Sequence, residues 1–155
     1  MIGQHIVHRK SAARQQRGID REHDQYQLEA KLTAKRINVS SNKKLIVHYL
    51  HHLGLGGTAK VVQLLAKYFP KDDEFHHTLA FKAHGERERE PHFEEYLGKD
   101  NLICFASAPE FLYIMRELKP HIVHRQTAGG PEFPFVKPLD SFAKNLISTS
   151  IFGST

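Results

Sequence analysis

Lys43 to Gly57, KKLIVHYLHHLGLGG, runs an apolar strand, LIVHYL (45–50), straight into a glycine-rich loop, and TAKVVQLLAKYF (58–69) follows as a helix. Glycines let the backbone approach a ligand closely, while the orphan N–H groups and the dipole of a helix start favour an anion. The order strand, glycine turn, helix therefore predicts a phosphate site at the head of an α/β unit. Within the helix, Val61, Val62, Leu65, Tyr68 and Phe69 fall at helical spacing, and Pro70 stops it.

The same rhythm continues along the chain. HHTLAFKA (76–83) reads as a second strand, followed by the charged loop HGERERE, and PHFEEYLG (91–98) as a short helix with Pro91 at its start and Gly98 at its stop. LICFAS (102–107) is a third strand. Ser107 and Glu110 then form a capping box for a helix that turns Phe111, Met115 and Leu118 inward and ends before Pro120. HIVHRQ (121–126) is a fourth strand, TAGGPEFP a glycine–proline loop, 135–143 a weak helix and NLISTSIF (145–152) a fifth strand. Such alternation predicts an α/β, Rossmann-like parallel sheet with helices on both faces. With strand order 3-2-1-4-5 the ligand crevice falls between strands one and four, and the glycine-rich loops 51–57 and 127–131 face each other across it.

Residues 1–42 differ in character. They are polar and carry eight Lys/Arg against four acids, which is most of the formal net charge of +5. Leu28, Leu32 and Lys35 make only a thin stripe on a helical wheel, so the segment reads as a polar, partly helical or disordered N-terminal tail. The alternative is a basic surface in peripheral contact with anionic lipid. The sequence thus divides into a tail, 1–42, and a domain, 43–155, with SSN at 40–42 as the boundary. The domain is close to neutral, so a nucleic-acid footprint is not indicated there. Nothing reaches the roughly 18 consecutive apolar residues of a membrane helix, and the N-terminus lacks the apolar core of a secretory signal, so a cytoplasmic location is expected. A single cysteine excludes an internal disulfide, and Cys104, inside LICFAS, reads as a buried, inert thiol.

GLGGTA (54–59) fits the loose dinucleotide pattern, but only Glu74 and Glu86 stand near the position of the ribose-binding acid, and neither sits at a strand end. The histidine pairs 51–52 and 76–77 are adjacent residues whose side chains diverge, so no metal site is expected. His48 reads as a hydrogen-bonded core residue, and HGEREREPHFEE as a solvated loop and helix face.

Three segments in register carry a resemblance: Leu53 to Gly57 after strand one, Lys119 to His124 in strand four, and Thr149 to Gly153 at the end of strand five. Together they resemble the N-terminal, acceptor-side domain of family-4-type glycosyltransferases, which have two Rossmann-like domains facing a cleft. The chain departs from that pattern at His121, where the family carries Asp, and at Ile151, where many relatives carry His. The resemblance implies transfer of a hexose, with retention, from a nucleotide-sugar donor to a glycan, lipid or small-molecule acceptor, with no metal and no further cofactor. It places Gly56 and Gly57 against the donor diphosphate and His124, Arg125 and Gln126 along the acceptor cleft, and it assigns no catalytic residue. It also implies a donor-binding C-terminal half, on the same or another chain, without which residues 1–155 are inactive. The alternatives are a non-catalytic remnant or partner-dependent half-domain, and a small Rossmann-type nucleotide-binding protein.

Overall fold

The computed structural model describes residues 3–127 and 145–150, with side chains from 15 to 126. Five parallel strands form one sheet: β1 (Lys44–Leu50), β2 (Phe75–Lys82), β3 (Leu102–Phe105), β4 (Ile122–Thr127) and β5 (Asn145–Ser150), in the order β3-β2-β1-β4-β5. The α/β, Rossmann-like architecture and the 3-2-1-4-5 order are those expected from the alternation of apolar runs. The helices are α1 (Gly3–Arg36), α2 (Gly57–Ala66), α3 (Glu90–Leu97) and α4 (Ala108–Leu118). The weak helix at 135–143, the loop 128–131 and the segment beyond Ser150 lie outside the described residues.

Strand alternation divides the core into two layers. Leu45, Val47, Tyr49, Ala80, Ile103, Phe105 and Val123 pack with Phe111, Ile114 and Met115 of α4 and with Ala30 and Ile37. The other face puts Leu50, Leu79, Phe81 and Leu102 against Ala59, Val62 and Ala66 of α2 and Phe93 of α3. In the first layer Tyr49, Phe105 and Phe111 form an aromatic cluster with ring centroids 4.7 to 5.9 Å apart, in tilted and offset geometry. Burial pushes the Tyr49 phenol up to about 12.

Local chemistry sets the helix ends. Ser107 Oγ accepts from Glu110 N–H at 3.4 Å, and the Glu110 carboxylate reaches back to accept from Ala106 N–H at 2.7 Å. This is the capping box, shifted by one residue on its return arm. Burial pushes the Glu110 carboxyl up, against the backbone N–H groups of Ala106 and Ser107. Gly98, at φ 80°, closes α3 in a backbone region that L side chains rarely adopt.

Three details depart from the sequence reading. First, α1 docks through its C-terminal part, and not through Leu28 and Leu32, which are 60% and 59% exposed. Ala30 and Ile37 are buried instead, Tyr26 stacks on Tyr113 of α4, the Tyr113 hydroxyl hydrogen-bonds His23, and Arg36 Nη2 donates to the Leu102 carbonyl at 2.8 Å. Small and aromatic residues let the helix approach closely where a leucine stripe was expected to do the packing. Second, the apolar row expected on α2 is only partly buried: Val62 and Phe69 pack inward and the rest do not. Ala59, Val62 and Ala66 face the sheet, while Val61, Leu64, Leu65 and Tyr68 lie exposed. The two alanines allow the backbone to sit low on the sheet, so the larger side chains point out. Third, Cys104 is exposed, because it alternates with buried Ile103 and Phe105 on β3, the edge strand.

Candidate functional site

The chain leaves β1 at Leu50 and reaches the start of α2 at Gly57 through a turn that is tied to the 83–89 loop. Leu53 N–H donates to the Glu86 carbonyl at 2.8 Å, and Arg89 N–H donates to the Leu53 carbonyl at 2.9 Å. The Arg89 guanidinium then spans the turn. Its Nε donates to the Gly54 carbonyl at 3.0 Å, Nη2 to the Leu55 carbonyl at 3.1 Å, and Nη1 to Gln63 Oε1 of α2 at 2.6 Å. A planar fork of donors fits such a set of fixed acceptors, which an ammonium could not satisfy together. With both carbonyls held by Arg89, the turn keeps one geometry.

Gly54 is buried beneath this clamp, and its N–H donates to His52 Nδ1 at 3.1 Å. A Cβ at this position would lie 2.0 Å from Glu86 Oε2 and 2.7 Å from Glu86 Cβ, so the packing of the two loops admits only glycine. Gly56 serves a different purpose. It is the N-cap of α2, at φ −58° and ψ 160°, with no side-chain cap and no acidic residue in the first turn. A Cβ at Gly56 would meet nothing closer than 3.9 Å. Gly56 and Gly57 are both exposed, so the first N–H groups of α2 open to the outside with no side chain of their own to accept from them. That is the arrangement an anion neutralises.

β4 lies beside β1, in register from Ile46↔Ile122 to Tyr49↔Arg125, so its C-terminal end and the β1–α2 turn share one edge of the sheet. Of the three β4 candidates, His124 and Gln126 sit on the α2 face and Arg125 on the opposite face, where it neighbours the Tyr49 phenol. The expectation that all three share the cleft side therefore divides. His124 is half-buried, and burial pushes its imidazole down. Gln126 is 6% exposed, and its Oε1 has no hydrogen-bond partner.

His124 belongs to a chain of hydrogen bonds across the sheet. Gln126 Nε2 lies 3.1 Å from His124 Nε2, His124 Nδ1 lies 3.2 Å from His48 Nδ1, His48 Nε2 lies 2.9 Å from His77 Nδ1, and His77 Nε2 lies 2.8 Å from Asp72 Oδ2. Phe69, from the short 3-10 turn after α2, stacks nearly parallel on both His48 and His77, at 4.5 and 4.3 Å between ring centroids. His48 is buried, as the sequence reading expects, and burial with the neighbouring His77 and His124 pushes it down to about 3. Asp72 accepts from His77, and its Oδ1 accepts from the Phe75 and Glu74 amides at 3.0 and 2.9 Å. These bonds, His77 first, hold its carboxyl below the usual range.

Among the described residues no group of three or more His, Cys, Asp or Glu is placed to hold a metal ion, and no helix is long and apolar enough to cross a membrane. No protein-family model and no curated protein matches the chain.

The clamp by Arg89, the packing of Glu86 on Gly54 and the linking of His48 to His77 and Asp72 are absent from the sequence reading. Arg89 and Glu86 sit in a stretch whose charge density reads as solvated surface. The histidines become legible only when the parallel register is applied to them: His48 pairs with His124, and His77 lies opposite Ile46, two residues back along β1. That register puts the three on one face.

Proposed function

We propose that this domain is the acceptor half of a two-domain glycosyltransferase that moves a hexose, with retention, from a nucleotide sugar to a glycan, lipid or small-molecule acceptor. One observation carries the reading. A clamped glycine turn delivers the uncapped N-terminus of α2 to the C-terminal edge of a 3-2-1-4-5 parallel sheet, beside β4. In open α/β sheets that edge is where ligands bind.

The chemistry follows from charge. When the glycosyl bond breaks, negative charge grows on the leaving diphosphate, and the N–H groups from Gly57 onward, fixed in direction, stabilise it without reorganising. Arg89 contributes by holding the Gly54 and Leu55 carbonyls away from the phosphate position. On the acceptor side, half-buried His124 stands at the same edge, with Gln126 beside it and Arg125 between them in sequence.

A second reading, a partner-dependent half-domain without catalysis of its own, is favoured by the exposed apolar residues Val61, Leu64 and Leu65 on α2 and Tyr68 just after it.

The test is a titration of the 15N-labelled protein with UDP, GDP and their hexose conjugates, followed by amide chemical shifts. The reading expects saturable shifts centred on Gly57, Thr58 and Ala59. Saturable binding of the free diphosphates, with no gain from the hexose, would reassign the domain as a simple nucleotide binder. Unshifted amides at millimolar ligand, with association seen by sedimentation, would leave the partner-dependent half-domain.

A further inference from the structure

We propose that Asp72, His77, His48 and His124 form a proton relay that carries one proton between the C-terminal edge of the sheet, at Gln126, and solvent at Asp72. It is independent of the hexose-transfer reading and is tested on the protein alone.

With Asp72 ionised and His77 neutral, one set of bond directions runs through the whole chain. Ionised Asp72 only accepts, so His77 donates to it from Nε2. Neutral His77 then accepts at Nδ1, which makes His48 donate from Nε2 and accept at Nδ1. His124 in turn donates from Nδ1, and its Nε2 accepts from the Gln126 amide N–H. In this state each ring nitrogen has a partner in the chain. Among the described residues, the buried side-chain atom left without a hydrogen-bond partner is Gln126 Oε1, at the head of the chain.

That leftover acceptor is what the other protonation state requires. A proton arriving at His124 Nε2 displaces the amide N–H, and rotation of the Gln126 amide presents Oε1 to accept the new N–H. His124 Nδ1–H passes to His48 Nδ1, and His48 Nε2–H passes to His77 Nδ1. The excess charge then rests on His77 as an imidazolium against the Asp72 carboxylate. Release of one proton from His77 through Asp72 to water leaves the chain one proton in and one out, with its tautomers reversed until the rings exchange back.

The setting suits conduction and not storage. Phe69 covers the rings of His48 and His77, whose planes are parallel within 10°. The His48 ring is buried at the centre, whereas the Asp72 side chain is 32% exposed at the end. Facing the chain, α2 contributes buried Ala59, Val62 and Ala66, none of them ionisable. The segment before β1 brings Lys43, whose Nζ donates to the Asp72 main-chain carbonyl at 2.6 Å. Lys44 and Glu74 pair with each other at 3.0 Å near the start of β1 and β2, and β5 (Asn145–Ser150) has no ionisable residue in its sequence. The ionisable groups named here therefore stand at the Asp72 end, which is the exposed end of the chain.

The experiment is 15N-histidine labelling with long-range 1H–15N spectra, which separate the tautomers, between pH 8 and 4.5. At pH 8 the relay requires Nε2–H on His77 and His48 and Nδ1–H on His124. On acidification His77 gains its second proton while His48 and His124 switch tautomer, all three with one midpoint. Asp72→Asn keeps an acceptor for the Glu74 and Phe75 amides and lowers that common midpoint by about one pH unit, as loss of a neighbouring carboxylate does. His48→Phe uncouples the two ends. The proposal is overturned if His124 takes up its own second proton at a separate midpoint. It is overturned equally if Asp72→Asn moves His77 and leaves the His48 and His124 tautomers as they were.

Discussion

Gly54→Ala tests whether the β1–α2 turn is held by packing between loops or is simply a flexible connection. The new methyl would stand 2.7 Å from Glu86 Cβ and 2.9 Å from His52 Nδ1. Glu86 Oε2, at 2.0 Å, can swing away on an exposed side chain, but Glu86 Cβ moves only with its backbone. That backbone is fixed by the Leu53–Glu86 bond, and Arg89 ties the same loop on its other side. Overpacking of this kind costs about 1–3 kcal/mol. Against it stands a gain of about 0.4–1 kcal/mol from a stiffer unfolded chain. The clash wins, with a net loss of roughly 1–2 kcal/mol, or about 2–8 °C in Tm for a chain of this size. Urea denaturation should show a lower midpoint at unchanged slope. The same substitution in a Glu86→Gly background should recover most of the loss, because the obstructing Cβ is gone. An unchanged midpoint for Gly54→Ala, or an equal loss in both backgrounds, refutes the interlocked-loop account.

Three further outcomes are expected. Ala30→Glu places a carboxylate at a fully buried site and should free α1 from α4 at a cost of about 3 kcal/mol or more, seen as protease cleavage between residues 15 and 36; resistance equal to wild type would contradict the docking. Leu65→Glu, at a position 46% exposed, should alter the urea midpoint by less than about 0.5 kcal/mol, whereas Val62→Asp on the buried side of the same helix should unfold the domain; equal effects would mean that α2 is turned differently. Stability should also fall with acid. His48 drops from 6.5 to about 3 on folding, so the folded chain binds fewer protons than the unfolded chain between those values. Its contribution is complete above pH 6.5 and is lost as pH falls toward 3, by about 1.4 kcal/mol per unit; His124, shifted down, and Asp72, below the usual carboxylate range, act with the same sign. Urea midpoints at pH 7.5 and 5.5 that are equal, or higher in acid, would exclude a neutral buried His48.

The fold was legible because its signals are local. Each strand is an apolar run bounded by a breaker, and Gly98, the Ser107–Glu110 pair and Pro120 end or begin elements through the chemistry of a few adjacent residues. The choice of helix face was not legible from large side chains alone. Of the expected row Val61, Val62, Leu65, Tyr68 and Phe69, Val62 is buried and Phe69 packs against the core, while Val61, Leu65 and Tyr68 are exposed and Ala59 and Ala66 complete the packing. On α1, Ala30 is buried and Leu28 and Leu32 are not. Hydrophobicity weights ignore that a small residue gains by letting two backbones approach, so wherever alanine sets the contact the apparent apolar stripe is rotated from the true one.

The site was legible at its glycines and not in its polar connections, for a related reason. A glycine turn ahead of a helix announces itself within a few residues. The partners of Arg89 lie 26 to 35 residues away, and the histidine chain joins positions separated by 29 and 76 residues. A histidine in mid-strand is read correctly as a buried, hydrogen-bonded residue, as His48 was, but its partner is set by strand order and register together. Once the order is β2-β1-β4, period-two alternation places His77, His48 and His124 on the same side of three neighbouring strands. Three imidazoles brought together on one face of the sheet satisfy one another, and a carboxylate stands at the open end of the row.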